Sequence, residues 1–255
     1  MGDEPLVLLH VSGALATVTL NAPEKRNALS VAMLTAISEA LAQVETDPTV
    51  RVVVLTHSGT VFCAGVDMKE ASAVGLEASS GLIVQVLRQI AALPKPVVVR
   101  LAGPVRAGGL GIVGAADVVI AADDITFAFS EARIGVAPAI ISLTVLPRMT
   151  PRQAHRWCLT GETFDAPAAV AAGLISQAVP AAELDAAVTA VTAELLLASP
   201  QGLAETKKLL GRQILDLLDT AGEEICKLSA SLFASDEAKE GMTAFLERRK
   251  PRWQS

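Results

Sequence analysis

Val97-Val98-Val99-Arg100-Leu101-Ala102-Gly103-Pro104-Val105-Arg106-Ala107-Gly108-Gly109-Leu110-Gly111 opens as an apolar strand and closes on a glycine-rich turn. A β-branched run with a single charge suits a strand buried on both faces. Beyond the turn, a short apolar helix is predicted near 109–116, followed by strands at Val118–Ala121 and Thr126–Phe129. Adjacent glycines let a ligand approach the backbone, and they place N–H donors at the positive end of a helix dipole. Tight helix packing would call for the same glycines. The turn lacks the GK[ST] ending of a P-loop and the GxGxxG spacing of a dinucleotide fold.

Outward from this stretch the same rhythm recurs. Leu6–Val11 and Ala14–Leu20 read as a hairpin around Ser12-Gly13, with Ala14, Ala16, Val18 and Leu20 on one face. Ser30 caps a helix whose apolar stripe is Val31, Leu34, Ile37, Leu41 and Val44, and Asp47-Pro48 ends it. Arg51–Thr56 is a Val-rich strand leading into the loop His57–Gly65. Glu77–Leu93 is helical, and Pro94 and Pro96 break it. Strands alternating with helices give the α/β class. From about Pro180 to Arg249 helix formers dominate, with breaks near Pro200–Gly202 and at Ser235, and Ala238, Met242 and Phe245 share a face of the last helix. We therefore expect a core over 1–195 and a helical C-terminal subdomain over 196–255.

Composition limits the function classes. The 255 residues are 51% hydrophobic but only 3% aromatic, with no Tyr, so Ala, Val, Leu and Ile must build the core. That much apolar surface exceeds what one core needs and suits subunit contacts. A net charge of −6, from 21 basic and 27 acidic side chains, gives no basis for nucleic-acid binding. Cys63, Cys158 and Cys226 form no CxxC pair, so neither a disulfide framework nor a zinc or other metal site is expected. Asp3 and Glu4 stand where a secretory signal wants basic residues, and apolar stretches such as 134–147 are too short to span a membrane. A cytoplasmic protein without a membrane partner is the expectation. His10, His57 and His155 fit no triad or metal pattern, so structural or surface roles are expected. The same holds for Asp117, as a turn cap or ion-pair partner.

Two further segments carry chemistry. In Phe62-Cys63-Ala64-Gly65-Val66-Asp67-Met68-Lys69-Glu70 a strand ends, a glycine permits a tight turn, and a helix begins with Asp67 as its cap. Backbone N–H groups at such a turn are available as donors. In Phe129-Ser130-Glu131-Ala132-Arg133-Ile134-Gly135-Val136-Ala137-Pro138-Ala139, Glu131 sits between an apolar run and a Gly/Pro loop. A half-buried carboxylate there would have a raised pKa suited to proton transfer. A helix N-terminal Glu, or an ion-pair partner of Arg133, is the plainer alternative.

Together, in this order and spacing, these segments resemble the enoyl-CoA hydratase/isomerase (crotonase) family. The likeness extends to NAPEKRNALS at Asn21–Ser30, TGETFDAPAAVAAGLI at Thr160–Ile175 and DEAKEGMTAFLERRKPRW at Asp236–Trp253. It implies a crotonase-like spiral of β-β-α units with a helical C-terminal trimerisation subdomain, assembled as a trimer or dimer of trimers. It also implies an oxyanion hole formed by the N–H groups of Val66 and Gly108, with Glu131 as acid/base. Val66, Asp67, Met68 and Lys69 would line the site of an acyl-CoA substrate. Lys25, Arg26 and Arg248 are candidates for the CoA phosphates, and Phe245 for the adenine. No cofactor is implied, since coenzyme A is part of the substrate.

One departure matters. Family hydratases of the two-glutamate type carry a first Glu three residues after the oxyanion glycine, which here falls on Gly111. The Gly-rich loop after the second Glu is likewise altered, to Pro138-Ala139-Ile140-Ile141. A single carboxylate can take a proton from water and return it to carbon, so the resemblance implies hydration of a 2-enoyl-CoA by Glu131 alone. Double-bond isomerisation, decarboxylation, or thioester binding with little catalysis remain open. Arg106, beside the oxyanion turn, is read as a surface residue or as a contact for an acyl carboxylate.

Overall fold

In a computed structural model, which describes residues 4–68, 70 and 77–254, the chain forms two sheets wrapped by helices. The larger sheet has six strands: β1 (Val7–Ser12), β2 (Leu15–Leu20), β3 (Val52–His57), β4 (Val97–Leu101), β6 (Val118–Ala122) and β9 (Gln177–Val179). They lie in the order β1-β2-β3-β4-β6-β9. Only the hairpin β1–β2 is antiparallel; the remaining neighbours run parallel. In β2, Ala16, Val18 and Leu20 are fully buried while alternate residues are half-exposed. β3 and β4 are buried almost throughout, as parallel strands covered on both faces must be.

The smaller sheet contains β5 (Val105–Arg106), β7 (Thr126–Ala128) and β8 (Phe164–Asp165), in the order β5-β7-β8. A parallel bridge from Cys63 to Val105 extends it by one position. The chain thus alternates between the sheets. β3 is followed by the Cys63 bridge, β4 by β5, and β6 by β7, so each circuit adds one position to both. This is the β-β-α spiral, and it brings the turns that follow Cys63, Arg106 and Ala128 side by side.

The helices are α1 (Val31–Thr46), α2 (Glu77–Ala92), α3 (Gly108–Ala115), α4 (Ala139–Val145), α5 (Pro151–Thr160), α6 (Ala166–Ala171), α7 (Leu184–Leu197), α8 (Pro200–Phe233) and α9 (Asp236–Leu246). Ser30 caps α1, its Oγ accepting from Met33 N at 3.1 Å. Ser199 and Ser235 cap α8 and α9 in the same way, which fixes the breaks expected near Pro200 and at Ser235. Helix α4 carries no periodic signature, because six of its seven residues are buried and no polar face marks it. Strand β7 ends at Ala128, one residue short of the expected Phe129. Phe127 and Phe129 each stack on Phe164, whose other neighbour is Trp157, stacked parallel to it at a centroid distance of 3.6 Å. These rings are the main aromatic mass of an otherwise aliphatic core.

The C-terminal helices pack back onto the spiral. Lys207 of α8 is buried, and its Nζ donates to Ile90 O at 2.8 Å and pairs with Asp117 Oδ2 at 2.7 Å. Asp117 Oδ2 also accepts from Val97 N, at 2.7 Å. Asp117 is therefore both turn cap and ion-pair partner. Burial pushes the Lys207 ammonium pKa down, and Asp117 opposes the shift. Among the described residues no helix is long and apolar enough to cross a membrane.

Candidate active site

The turns at the ends of the small-sheet strands enclose a cleft of about 850 Å³. Val66 and Gly108 both line it. The two turns are in van der Waals contact: a methyl group added at Gly65 would lie 2.9 Å from Ala107 Cβ and 3.6 Å from Gly108 N. One added at Gly108 would lie 3.7 Å from Val66 N. Gly65 has φ +99°, which a side chain would strain. Ala107, a non-glycine residue with φ +44° and ψ −119°, heads α3, and this costly conformation sits beside the first helical N–H. Neither Val66 N–H nor Gly108 N–H has an acceptor among the described residues. Two unpaired amides at one helix N-terminus and the neighbouring turn are suited to an oxygen that accumulates negative charge.

Glu131 lines the same cleft and is 7% exposed. It opens the 3-10 turn Glu131–Ile134, which Gly135 closes in the left-handed conformation. Its Oε2 is buried and has no hydrogen-bond partner among the described residues. Burial pushes the carboxyl pKa up to about 7, and a bond from its own backbone N–H only partly opposes this. The ion-pair reading of Glu131 fails, whereas its helix N-terminal placement holds only for this short 3-10 turn. Arg133 donates instead to Thr160 O at 2.8 Å, and the carboxylate faces the cleft rather than capping an α-helix. The turn is backed by α9, where a methyl group at Gly241 would lie 2.3 Å from Ile134 O and one at Gly135 would lie 2.6 Å from the Glu237 carbonyl.

Gly111 lies one turn into α3 and is buried. A methyl group there would sit 2.9 Å from Ile141 Cγ2 and 3.3 Å from both Leu87 methyls. The space of a first glutamate is thus filled with hydrocarbon. Ile83, Ile140 and Ile141 make this wall of the cleft apolar.

The other expected contacts divide. Lys25, Arg26, Asp67 and Met68 line the cleft, and Lys25 and Arg26 are exposed and pair with no acid among the described residues. Asp67 caps the next turn, its Oδ1 accepting from Glu70 N at 3.2 Å. Lys69 lies outside the described residues. Phe245 lines the cleft but is 56% exposed, so it does not share the buried face of Ala238 and Met242. Arg248, a candidate CoA contact or a solvated surface charge, is exposed, has a left-handed backbone and is not among the residues that line the cleft. Its neighbour Arg249 does line it, held by Glu240 at 2.7 and 2.9 Å and by Glu247 at 2.7 Å. The left-handed turn after α9 sends successive side chains in different directions, which helix periodicity does not anticipate.

The surface reading of Arg106 is corrected: it is half-buried and lines the cleft. Its guanidinium donates to Val105 O, Thr126 O and Thr126 Oγ1 at 2.6–2.9 Å, tying β5 to β7. Burial pushes its pKa down. His57 is also buried, edge-on to Phe62, and burial lowers its pKa. His10 and His155 are exposed, in keeping with surface roles. The Cys63 thiol is buried and pushed up to about 12, which leaves it unreactive.

Comparison with known proteins agrees with this fold. Residues 10–255 match the family model for enoyl-CoA hydratase/isomerase. A crystal structure of an enoyl-CoA hydratase from Mycobacterium avium superposes with a TM-score of 0.91 at 44% identity, covering 98% of this chain and 100% of that one. A mevalonyl-coenzyme A hydratase of Aspergillus fumigatus is 30% identical over 92% of this chain and 90% of its own length. The 1,2-epoxyphenylacetyl-CoA isomerase of Escherichia coli is 30% identical over 97% of both chains. The chain belongs to the enoyl-CoA hydratase/isomerase family, whose crotonase-like fold it shares. Among its relatives are both hydratases and an isomerase, so membership defines the class of enzyme and leaves the reaction to the site.

Proposed function

We propose that the protein hydrates a 2-enoyl-CoA, with Glu131 as the only acid/base and the Val66 and Gly108 N–H groups as oxyanion hole. The observation that carries this is the buried Glu131 carboxyl, whose Oε2 has no partner among the described residues, in the same cleft as two amides that likewise lack acceptors there. Ionised Glu131 takes a proton from water, whose oxygen bonds to C3. The π electrons move toward the thioester, and charge builds on its oxygen. Two fixed donors stabilise that enolate, and losing one such donor typically costs about 3–4 kcal/mol of barrier. Protonated Glu131 then delivers its proton to C2, which restores the carboxylate. Several relatives are themselves named hydratases, in keeping with this reading.

The apolar wall at Gly111 favours a second reading, isomerisation of a 3-enoyl-CoA, because moving one proton from C2 to C4 needs one base and no held water. For the CoA phosphates, Lys25, Arg26 and Arg249 are the proposed contacts. We further propose that the helical part from about residue 196 builds a trimer or dimer of trimers through exposed residues such as Leu209 and Leu210.

The reaction is tested by incubating the enzyme with 2-enoyl, 3-enoyl and malonyl-type CoA esters and reading products by mass spectrometry. Gain of one water on crotonyl-CoA supports hydration. Conversion of 3-enoyl to 2-enoyl thioester without mass change selects the isomerase. Loss of carbon dioxide from a malonyl-type ester overturns both. Undiminished turnover by Glu131→Gln would remove Glu131 from the mechanism.

A further inference from the structure

The loop that presents the Val66 amide has few regular backbone bonds of its own, yet it must hold one N–H still. We propose that Asn27 is the residue that sets this amide, a positioning residue for the oxyanion hole rather than a group that touches substrate. The inference rests on the oxyanion reading of Val66 and Gly108.

Asn27 is completely buried, in a chain where few polar side chains are. It follows Arg26, and both take left-handed backbone conformations, with φ +53° and +50°. Asn tolerates that region better than most side chains. Its side chain makes three hydrogen bonds. Oδ1 accepts from Ala22 N at 2.8 Å, which closes its own turn. Nδ2 donates to Ser58 O at 3.1 Å and to Val61 O at 2.8 Å, both on the loop between β3 and Val66. One carboxamide therefore clamps two segments more than thirty residues apart in sequence.

The backbone continues the clamp toward the site. Ala64 N donates to Arg26 O at 3.0 Å, Leu29 N to Gly65 O at 2.8 Å, and Asp67 N to Leu29 O at 3.3 Å. These bonds take up the amides of residues 64 and 67, while Gly65 N meets the Cys63 sulfur at 3.4 Å. Val66 N–H alone in this run is left without an acceptor among the described residues. The register of 22–30 along 58–67 thus decides which amide is left over, and Asn27 fixes that register. A buried polar clamp of this kind is costly to break, because each freed group stays desolvated.

The test separates positioning from bulk stability. Binding of butyryl-CoA and of its thioether analogue S-butyl-CoA, in which a methylene replaces the carbonyl, is measured calorimetrically for wild type and Asn27→Gly. Glycine accepts φ +50° and removes all three side-chain bonds. If the oxyanion reading holds, wild type prefers the thioester by about tenfold or more; no preference in wild type overturns that reading itself. If Asn27 positions the amide, Asn27→Gly loses the preference while keeping its affinity for the thioether within about threefold, and kcat on the active substrate falls by about ten- to a hundredfold. Retention of the wild-type preference overturns the proposal, as does equal loss of both affinities. Should Asn27→Gly fail to fold, hydrogen exchange decides the matter in wild type. Amides 64 and 67 must exchange as slowly as core strands, and exchange at open-loop rates overturns the clamp.

Discussion

At the residue scale, Glu131 carries the largest consequence. Its folded-state pKa of about 7 lies above the 4.5 of an unperturbed glutamate. The folded form therefore holds a proton that the unfolded chain has released between these values. The stability this contributes is fully present below about pH 4.5 and is lost as pH rises through about 7. Glu131→Gln should accordingly be more stable than wild type at pH 8, by up to roughly 3 kcal/mol, and about equal to it at pH 4. Urea unfolding at the two pH values measures this. As a base the residue must be ionised, so kcat/KM of wild type should climb through about pH 7. A second residue, Gly111, yields an opposite kind of expectation. Gly111→Glu meets Ile141 at 2.9 Å, and overpacking of this kind costs about 1–3 kcal/mol. It should lower the melting temperature without raising hydration, and only Gly111→Glu combined with Ile141→Ala makes room for a second carboxylate.

At the scale of elements, α9 and the Glu131 turn act as one unit. Gly241 lies against Ile134 O and Gly135 against the Glu237 backbone, so helix and turn cannot approach more closely. Gly241→Ala must push α9 outward, admitting water beside Glu131. The expected result is a lower melting temperature together with a kcat/KM acid limb displaced below about pH 7, read from a pH–rate profile. Elements are legible in the sequence where they have two faces. The stripe of α1 and the alternation of β2 reveal themselves because one side meets water. Helix α4 does not, since Ile140, Ile141, Leu143 and Val145 are all buried, and a helix without a polar face looks like any apolar run. The candidate site is legible through its glycines and Glu131. Asn27 is not, because nothing local distinguishes a clamping Asn from one that merely caps a turn.

At the scale of the molecule, α3 is held at both ends. Its N-terminus offers Gly108 N–H to the cleft. Near its C-terminus, Arg148 donates to Gly114 O and Ala116 O at 3.1 Å, and the Lys207–Asp117 pair joins α8 to the strands beside it. Removing one member of a buried pair leaves an uncompensated charge. Asp117→Asn should therefore cost stability at the low end of roughly 3–5 kcal/mol, since the Asp117 side chain keeps 25% of its exposure. Chemical denaturation of the assembled protein would measure it. The amide oxygen introduced by this substitution can still accept from Val97 N, so the loss reports on the charge and not on the turn cap.

The chain has two tryptophans and no tyrosine, so nearly all its ultraviolet emission comes from two indoles. Trp157 lies flat against Phe164 in the interior, whereas Trp253 is 41% exposed, in the segment whose Pro251 and Gln254 line the cleft. Replacing Trp157 with Phe should leave a single lamp in that segment. Its colour and intensity would then change as a CoA ester enters, giving a label-free titration of occupancy that needs no turnover.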